Sequence, residues 1–262
     1  MSDTNITTPP PTAPAAAATP GGPTMSTPET LSSIFFEPGA TFEALRNRPR
    51  FLAAALIMVA LTTLVVVLLF QRIDYAKAMR EALDKNPRTE QMTPQQKEQA
   101  VAFQTGPIGK ALVYASPLIA TVFILAAGAA LYLLGSMLMG GSMSYKQALS
   151  VWTYSSLPPA VLATLVSIVT MFVKSPDDID LQKSGGGLLQ ANLGVLLSSD
   201  ASPVLRALLG SFDLFAFYGL FLAAIGLRKV ARLSSGAAWT IALGLWIIGV
   251  LAKVGWAAAF GG

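Results

Sequence analysis

The residues of this chain with the clearest chemical potential are two ionisable side chains inside long apolar segments. Asp213 and Lys253 are the charged residues of segments 207–227 and 237–260. The chain contains no Cys and no His, which removes thiolate nucleophiles, disulfides, and the usual general base and soft metal ligands. Any proton, ion or substrate chemistry within the apolar segments is therefore expected to centre on this carboxylate and this ammonium.

The spacing of the two charges predicts an ion pair. Asp213 lies about two helical turns inside the start of its segment, and Lys253 about two turns inside the end of the next. A short connection makes the two helices antiparallel, so both charges are expected at similar depth. A lone charge at such depth costs at least about 2.5 kcal/mol, and pairing is the simplest relief. Three interpretations remain open: a clamp between helices, separate snorkelling toward water, and a relay or substrate site.

The remaining residues offer little for catalysis or metal binding. Ser155 and Ser156 have no Lys or Asp close by on their segment to activate them. Asp177, Asp178 and Asp180 are close in sequence, but they lack the spacing of a calcium-binding loop. The sequence therefore predicts no catalytic residue, no metal site, no cofactor and no enzymatic activity.

The elements that must position these residues are long apolar helices. With 53% hydrophobic and 12% charged residues, the composition lies outside the usual range of soluble domains. A helix needs about 20 residues to cross the hydrocarbon core of a bilayer, and in lipid only helices satisfy their backbone within one segment. We predict an all-α polytopic membrane protein, a five-helix transmembrane bundle with short interfacial helices. The expected spans are residues 51–70, 111–139, 151–173, 207–227 and 237–260.

Two polar regions complete the expected organisation. Residues 1–30 are rich in Pro, Thr and Ala and are predicted to form a disordered tail, whereas residues 31–262 form the membrane domain. In the polar loop 71–110, Pro87 interrupts a helix-forming stretch, and Thr93 followed by Pro94 is typical of a helix start. Two short helices are therefore expected to cover one end of the bundle.

The segment before the first span combines aromatic and basic residues. These residues suit an element lying in the membrane interface, with rings at the acyl boundary and guanidinium groups among phosphates. A plain connecting segment is the other interpretation. The proposed anchor residues are Phe35, Phe36, Phe42, Arg46, Arg48 and Arg50.

The third span contains a Pro-Pro pair. Pro158 and Pro159 remove two backbone donors and crowd the preceding turn, so a kink is expected. Broken helices line binding sites in some transporters, but a kink can also serve packing alone. Both interpretations stay open from the sequence.

Charge alone does not fix the orientation. A cytoplasmic N-terminus places the dense group around Arg46 to Arg50 inside, and the opposite orientation places the more numerous but diluted Lys and Arg of the long first loop inside. Anionic headgroups are the expected partners of these clusters, rather than nucleic acid.

Three stretches, taken in order, resemble the bacterial branch of the Yip1 family of five-span membrane proteins. They are FFEPGATFEALRNRPR (35–50), SYKQALSVWTYSSLPPAVL (144–162) and SFDLFAFYGLFLAAIGL (211–227). The resemblance implies five helices, a cytoplasmic N-terminus and no recognised enzymatic activity.

The expected function is that of a non-enzymatic integral protein of the cell (inner) membrane, which scaffolds partners or organises the bilayer. Its partners would be the lipid bilayer and other membrane proteins or a second copy of itself. The alternative is a small transporter or channel that uses the third span and the Asp213/Lys253 pair.

Overall fold

The computed structural model describes residues 25–86, 89–173, 175, 191–198 and 201–260. Five helices in these residues are long and apolar enough to cross a membrane, which confirms the predicted all-α five-span bundle. The α-helices are α1 (Thr27–Ser33), α2 (Pro38–Asn47), α3 (Leu52–Arg72), α4 (Tyr75–Lys85), α5 (Pro94–Thr105), α6 (Pro107–Leu138), α7 (Tyr145–Val173), α8 (Pro203–Leu209), α9 (Leu214–Ala231) and α10 (Ser235–Phe260). The spans are α3, α6, α7, α9 and α10.

Helix α7 lies at the centre of the bundle and packs against α3, α6 and α9. The α6–α7 contact is close because Gly128 faces the ring of Trp152, and a Cβ atom added at Gly128 would lie 2.1 Å from Trp152 Cε2. Lipid tails are as apolar as the helices, so close packing of this kind, rather than exclusion of water, holds spans together. Small residues at such contacts therefore set the positions of the helices.

The chain entering the membrane is folded onto the bundle. Helix α1 starts with a capping box in which the Ser26 side chain accepts from Glu29 N and the Glu29 carboxylate accepts from Ser26 N. The helix therefore begins before residue 31, the expected start of the membrane domain. Residues 1–24 of the expected tail lie outside the described residues.

Helix α2 begins at Pro38, whose fixed φ suits the first helical position. It packs against α9 and α7, and Phe42 and Leu45 are buried in the main apolar core. The segment before the first span therefore contains a docked helix, and the interpretation of this segment as a plain connection is wrong.

Two short helices cover the other end of the bundle, as predicted. Helix α4 is capped by Asp74, and α5 by a Thr93–Gln96 capping box with Pro94 in the first turn. Ion pairs join the two helices: Arg80 Nη2 lies 2.9 Å from Glu98 Oε1, and Lys97 Nζ lies 2.7 Å from Asp84 Oδ1. Four charged side chains of α4 and α5 are therefore paired with one another.

The α6–α7 connection is a tight turn. Gly140 has a φ of 75°, a left-handed conformation that glycine adopts without steric cost. Its neighbour Gly141 donates from N to Ser136 O at 2.7 Å, which closes the end of α6. The turn makes α6 and α7 antiparallel neighbours, as the sequence indicates.

The expected fourth span, 207–227, was placed too early. Residues Pro203–Leu209 form the separate helix α8, and α9 begins only at Leu214. The break comes from Gly210, Ser211 and Phe212, which leave the helix before Asp213 starts a new one. Helix α9 then continues through Arg228 and Lys229 to Ala231, beyond the expected end.

Candidate functional site

The strongest concentration of long-range polar contacts lies at the end of the bundle nearest the N-terminus. Helix α2 ends there, α7 begins there, and α9 ends there. We call this end the N-terminal face. Its polar groups come from residues far apart in the chain, so the site exists only in the folded protein.

An ion pair connects α2 to α9. The Lys229 ammonium donates to the Glu43 carboxylate across a separation of 186 residues. The hydrogen bond and the positive charge of Lys229 hold the pKa of Glu43 below its ordinary value. Both side chains are about one-third exposed, at 31% and 35%, so water screens the pair in part.

Arg46 reaches the same end of α9. Its Nη1 donates to the carbonyl oxygen of Lys229 at 3.3 Å, one of the terminal carbonyls that lack an intrahelical donor. A guanidinium carries five N–H groups, so this bond leaves others available. Arg46 therefore closes the end of α9 and still presents positive charge at the N-terminal face.

Gln147 links the start of α7 to the end of α2. Its Oε1 accepts from Ser144 N at 2.7 Å and its backbone N–H donates to Ser144 Oγ at 3.3 Å, which forms a capping box. Its Nε2 also donates to the Arg46 carbonyl oxygen at 2.8 Å. One amide side chain thus satisfies a helix start and a helix end.

The α6–α7 turn is fastened to α9. Ser142 N donates to Ala231 O at 3.1 Å. Arg232, the next residue, has a left-handed φ of 57° and caps α9. These contacts border an open cavity of about 340 Å³. Its walls consist of Arg46, Asn47, Ser142, Met143, Ser144, Gln147, Val230 and Arg232.

The six proposed anchor residues take different positions. The Phe36 ring is 84% exposed, as an interfacial residue would be. Phe35 is only partly buried against the core, and Arg48 is exposed at the end of α2. Arg50 Nη1 donates to Thr27 Oγ1 at 3.1 Å, so it closes the loop back to α1.

Phe42 does not face lipid. Its exposure is 0%, and its ring lies against α9 at Gly226, where an added Cβ would approach Phe42 Cε1 to 2.9 Å and Val151 Cγ1 to 2.7 Å. The interfacial position expected for Phe42 is therefore wrong, because the glycine at position 226 of α9 leaves space for its ring.

The predicted Asp213–Lys253 ion pair is not formed in the described part of the chain. Asp213 precedes α9, and its Oδ1 accepts from Phe215 N at 2.9 Å and Ala216 N at 3.0 Å. Lys253 is exposed on α10. The carboxylate thus caps a helix start, where the N-terminal dipole stabilises negative charge.

Pro158 and Pro159 lie within α7, which continues as one helix on both sides of them. Both are buried. The carbonyls of Tyr154 and Ser155 lose their usual i+4 donors there. Gly219 of α9 faces this point. A Cβ atom added at Gly219 would lie 3.6 Å from Pro159 Cγ and 3.7 Å from Ser155 O.

Among the described residues, no group of three or more acidic side chains is placed to hold a metal ion. Asp177, Asp178 and Asp180 lie outside those residues. The contacts that sequence reasoning missed are Glu43 with Lys229 and Gln147 with Arg46. The available signal was Glu43, an acidic residue one turn before Arg46. Its partner Lys229 lay between the expected spans 207–227 and 237–260 and was therefore not expected in a helix.

Five candidate spans, with two N-terminal helices docked on one end of the bundle, define a polytopic membrane protein. The family model described as the Yip1 domain matches residues 32–257, so the chain belongs to the Yip1-domain family, as the sequence motifs predicted. It is similar to "Membrane protein YknW" of Bacillus subtilis (strain 168), with 26% identity over 215 residues, which cover 81% of this chain and 83% of the relative. No solved structure matches the chain.

Proposed function

We propose that this protein is a non-enzymatic scaffold or membrane-organising factor of the cell (inner) membrane, with its N-terminal face in the cytoplasm. The observation that carries the proposal is the docking of α1 and α2. The Glu43–Lys229 ion pair and the Arg46 and Gln147 hydrogen bonds hold these helices on the bundle. A fixed surface of this kind is suited to binding a partner.

The distribution of charge supports a cytoplasmic N-terminal face. That face collects seven basic residues at or near the ends of the spans: Arg46, Arg48, Arg50, Lys146, Arg228, Lys229 and Arg232. Basic residues near span ends favour the cytoplasmic side. On the other face, Arg80 and Lys97 lie in the long connection between the first two spans and are paired with acidic residues.

The absence of cysteine from the sequence makes the orientation directly measurable. Single cysteines replace Ser234, exposed between α9 and α10, and Gln91, exposed between α4 and α5. In intact cells, an impermeant maleimide should label Gln91→Cys and leave Ser234→Cys unlabelled until the membrane is opened. Labelling of Ser234→Cys in intact cells would reverse the proposed orientation.

The scaffold role is supported by Phe36, whose ring lies on the docked segment and is 84% exposed. A photoreactive benzoylphenylalanine at Phe36 should yield a defined protein adduct in native membranes. Phe103 of α5 is the matched control, because it is 53% exposed at the opposite end of the bundle. If Phe36 gave no protein adduct beyond those at Phe103, the scaffold proposal would fail.

The transporter alternative has less support. Asp213 serves as a helix cap, and Pro158 and Pro159 are buried within a continuous α7 against Gly219. Both features have a structural role that requires no transported solute. Neither residue set provides the ion relay that the alternative needs.

A further inference from the structure

We propose that the cavity at the N-terminal face binds a phosphate group, carried either by an anionic lipid headgroup or by a soluble phosphate. The cavity lies where the end of α2, the α6–α7 turn and the end of α9 meet, and two arginines, Arg46 and Arg232, line it. This inference concerns a ligand rather than a protein partner, and it does not depend on the scaffold role.

The charge around the cavity is positive and is not neutralised by its own walls. Segments 38–47, 139–147 and 228–233 contain one acidic residue, Glu43, and that carboxylate is paired with Lys229. The Arg232 guanidinium makes no hydrogen bond or ion pair with any residue described by the structure. A cationic cavity without a counter-charge favours an anionic ligand.

Neutral hydrogen-bond donors in the cavity walls are also suited to binding phosphate oxygens. The Ser144 hydroxyl accepts from Gln147 N, and a hydroxyl that accepts retains its own O–H to donate. Ser142 and Asn47 add a second hydroxyl and an amide to the walls. Guanidinium groups and hydroxyls together bind the several oxygens of a phosphate, as charge-assisted donors and as ordinary donors.

Size and position favour a headgroup-sized ligand. A volume of about 340 Å³ is at the lower end of the range of ligand pockets. The cavity also lies beside the ends of spans α7 and α9, and the ends of a membrane-spanning helix are expected near the headgroup region of a bilayer. Basic pockets between helix ends are typical sites for anionic headgroups.

The backbone of Arg232 supplies a clean test. Its left-handed φ of 57° at the end of α9 is a conformation that glycine adopts more readily than arginine. Arg232→Gly therefore removes the guanidinium while retaining, or improving, the helix cap. Arg228→Gln is the matched control, since Arg228 is exposed one turn earlier on α9 and does not line the cavity.

The experiment measures ligand affinity of the full chain by native mass spectrometry and by thermal shift in a neutral detergent. One arm titrates phosphatidylglycerol, a second titrates glycerol phosphate and inorganic phosphate, and diacylglycerol, which carries no phosphate, serves as the reference lipid. We expect Arg232→Gly to weaken binding about tenfold, as the loss of a charge-assisted contact implies, at an unchanged or higher unfolding temperature. Arg46→Gln should weaken binding as well, and Arg228→Gln should change it less than twofold.

Each outcome decides the proposal. Binding of phosphatidylglycerol alone, sensitive to Arg232, assigns the site to a lipid, and binding of the soluble phosphates with the same sensitivity assigns it to a soluble ligand. Equal weakening by Arg228→Gln would show only diffuse surface charge and overturn the site. The absence of any effect of Arg232→Gly, or equal affinity for diacylglycerol, would overturn it too.

Discussion

Glu43 of α2 and Lys229 of α9 form an ion pair across 186 residues of sequence. The pair joins a helix that precedes the first span to the end of the fourth span. Because Lys229 also presents its carbonyl oxygen to Arg46, one residue of α9 holds two residues of α2. The polar contacts between α2 and α9 are therefore concentrated at Lys229.

Replacing Glu43 by Gln should make stability depend differently on pH. Lys229 lowers the pKa of Glu43 in the folded protein, so the stabilisation is fully present above the unfolded pKa and is lost as pH falls through the folded pKa. Because the pair is partly exposed, Glu43→Gln should lower the free energy of unfolding at pH 7 by about 1 kcal/mol or less. Thermal unfolding in detergent at pH 7 and at pH 3 measures it.

The matched control for this measurement is Glu37→Gln. Glu37 is exposed, and its side chain makes no cap hydrogen bond at the start of α2. Its replacement should leave the pH dependence close to that of the wild type. An equal effect of both variants would mean that overall charge, rather than the ion pair, sets the pH dependence.

Gly226→Ala should destabilise the protein because the site has no room for a methyl group. The added Cβ would lie 2.7 Å from Val151 Cγ1 and 2.9 Å from Phe42 Cε1. Overpacking of this kind costs about 1–3 kcal/mol. Gly244→Ala on α10, where nothing lies within 4 Å, should be neutral or stabilising, and Phe42→Leu should partly rescue Gly226→Ala in thermal unfolding.

Gln147→Glu separates the two roles of this side chain. Glutamate still supplies the acceptor of a capping box, but it cannot donate to the Arg46 carbonyl. Hydrogen exchange should become about 2- to 10-fold faster over residues 44–47, which corresponds to one lost hydrogen bond, with little change at the start of α7. Faster exchange at the start of α7 alone would contradict this assignment.

Asp213→Ala should cost about 0.5–2 kcal/mol through the lost helix cap, and Asp213→Asn should cost little because Asn is an equally good capping residue. The change in the free energy of unfolding caused by Lys253→Ala should be additive with that of either Asp213 variant, within about 0.5 kcal/mol. A double-mutant cycle by thermal unfolding checks this. A coupling clearly above that value would restore the ion pair expected from the sequence.

The helical architecture was predictable because span length and apolar composition are imposed by the bilayer. The helix start predicted at Thr93 was also correct, and Gln96 completes its capping box. The N-terminal face was less predictable because its contacts are non-local. Nothing near Phe42 in sequence indicates that Gly226 leaves space for its ring, and nothing near Glu43 indicates Lys229.

The Asp213 prediction failed for a local reason. An uninterrupted apolar stretch suggested one helix over 207–227, whereas the backbone breaks at Gly210 to Phe212 and Asp213 starts a new helix. Hydropathy reports how much of a stretch tolerates lipid. It does not report where a helix begins, which here depends on a side-chain cap.

The seating of α2 on α9 also constrains the order of events during synthesis. Ribosomes add about 5–20 residues per second, so roughly 10–40 s separate the emergence of Glu43 from that of Lys229. Three spans are made in that interval, while the apolar face of α2 still lacks α9. Closure of the N-terminal face is therefore a late assembly step, and a nascent chain halted before α9 would display Phe42 and Leu45 to membrane chaperones or proteases.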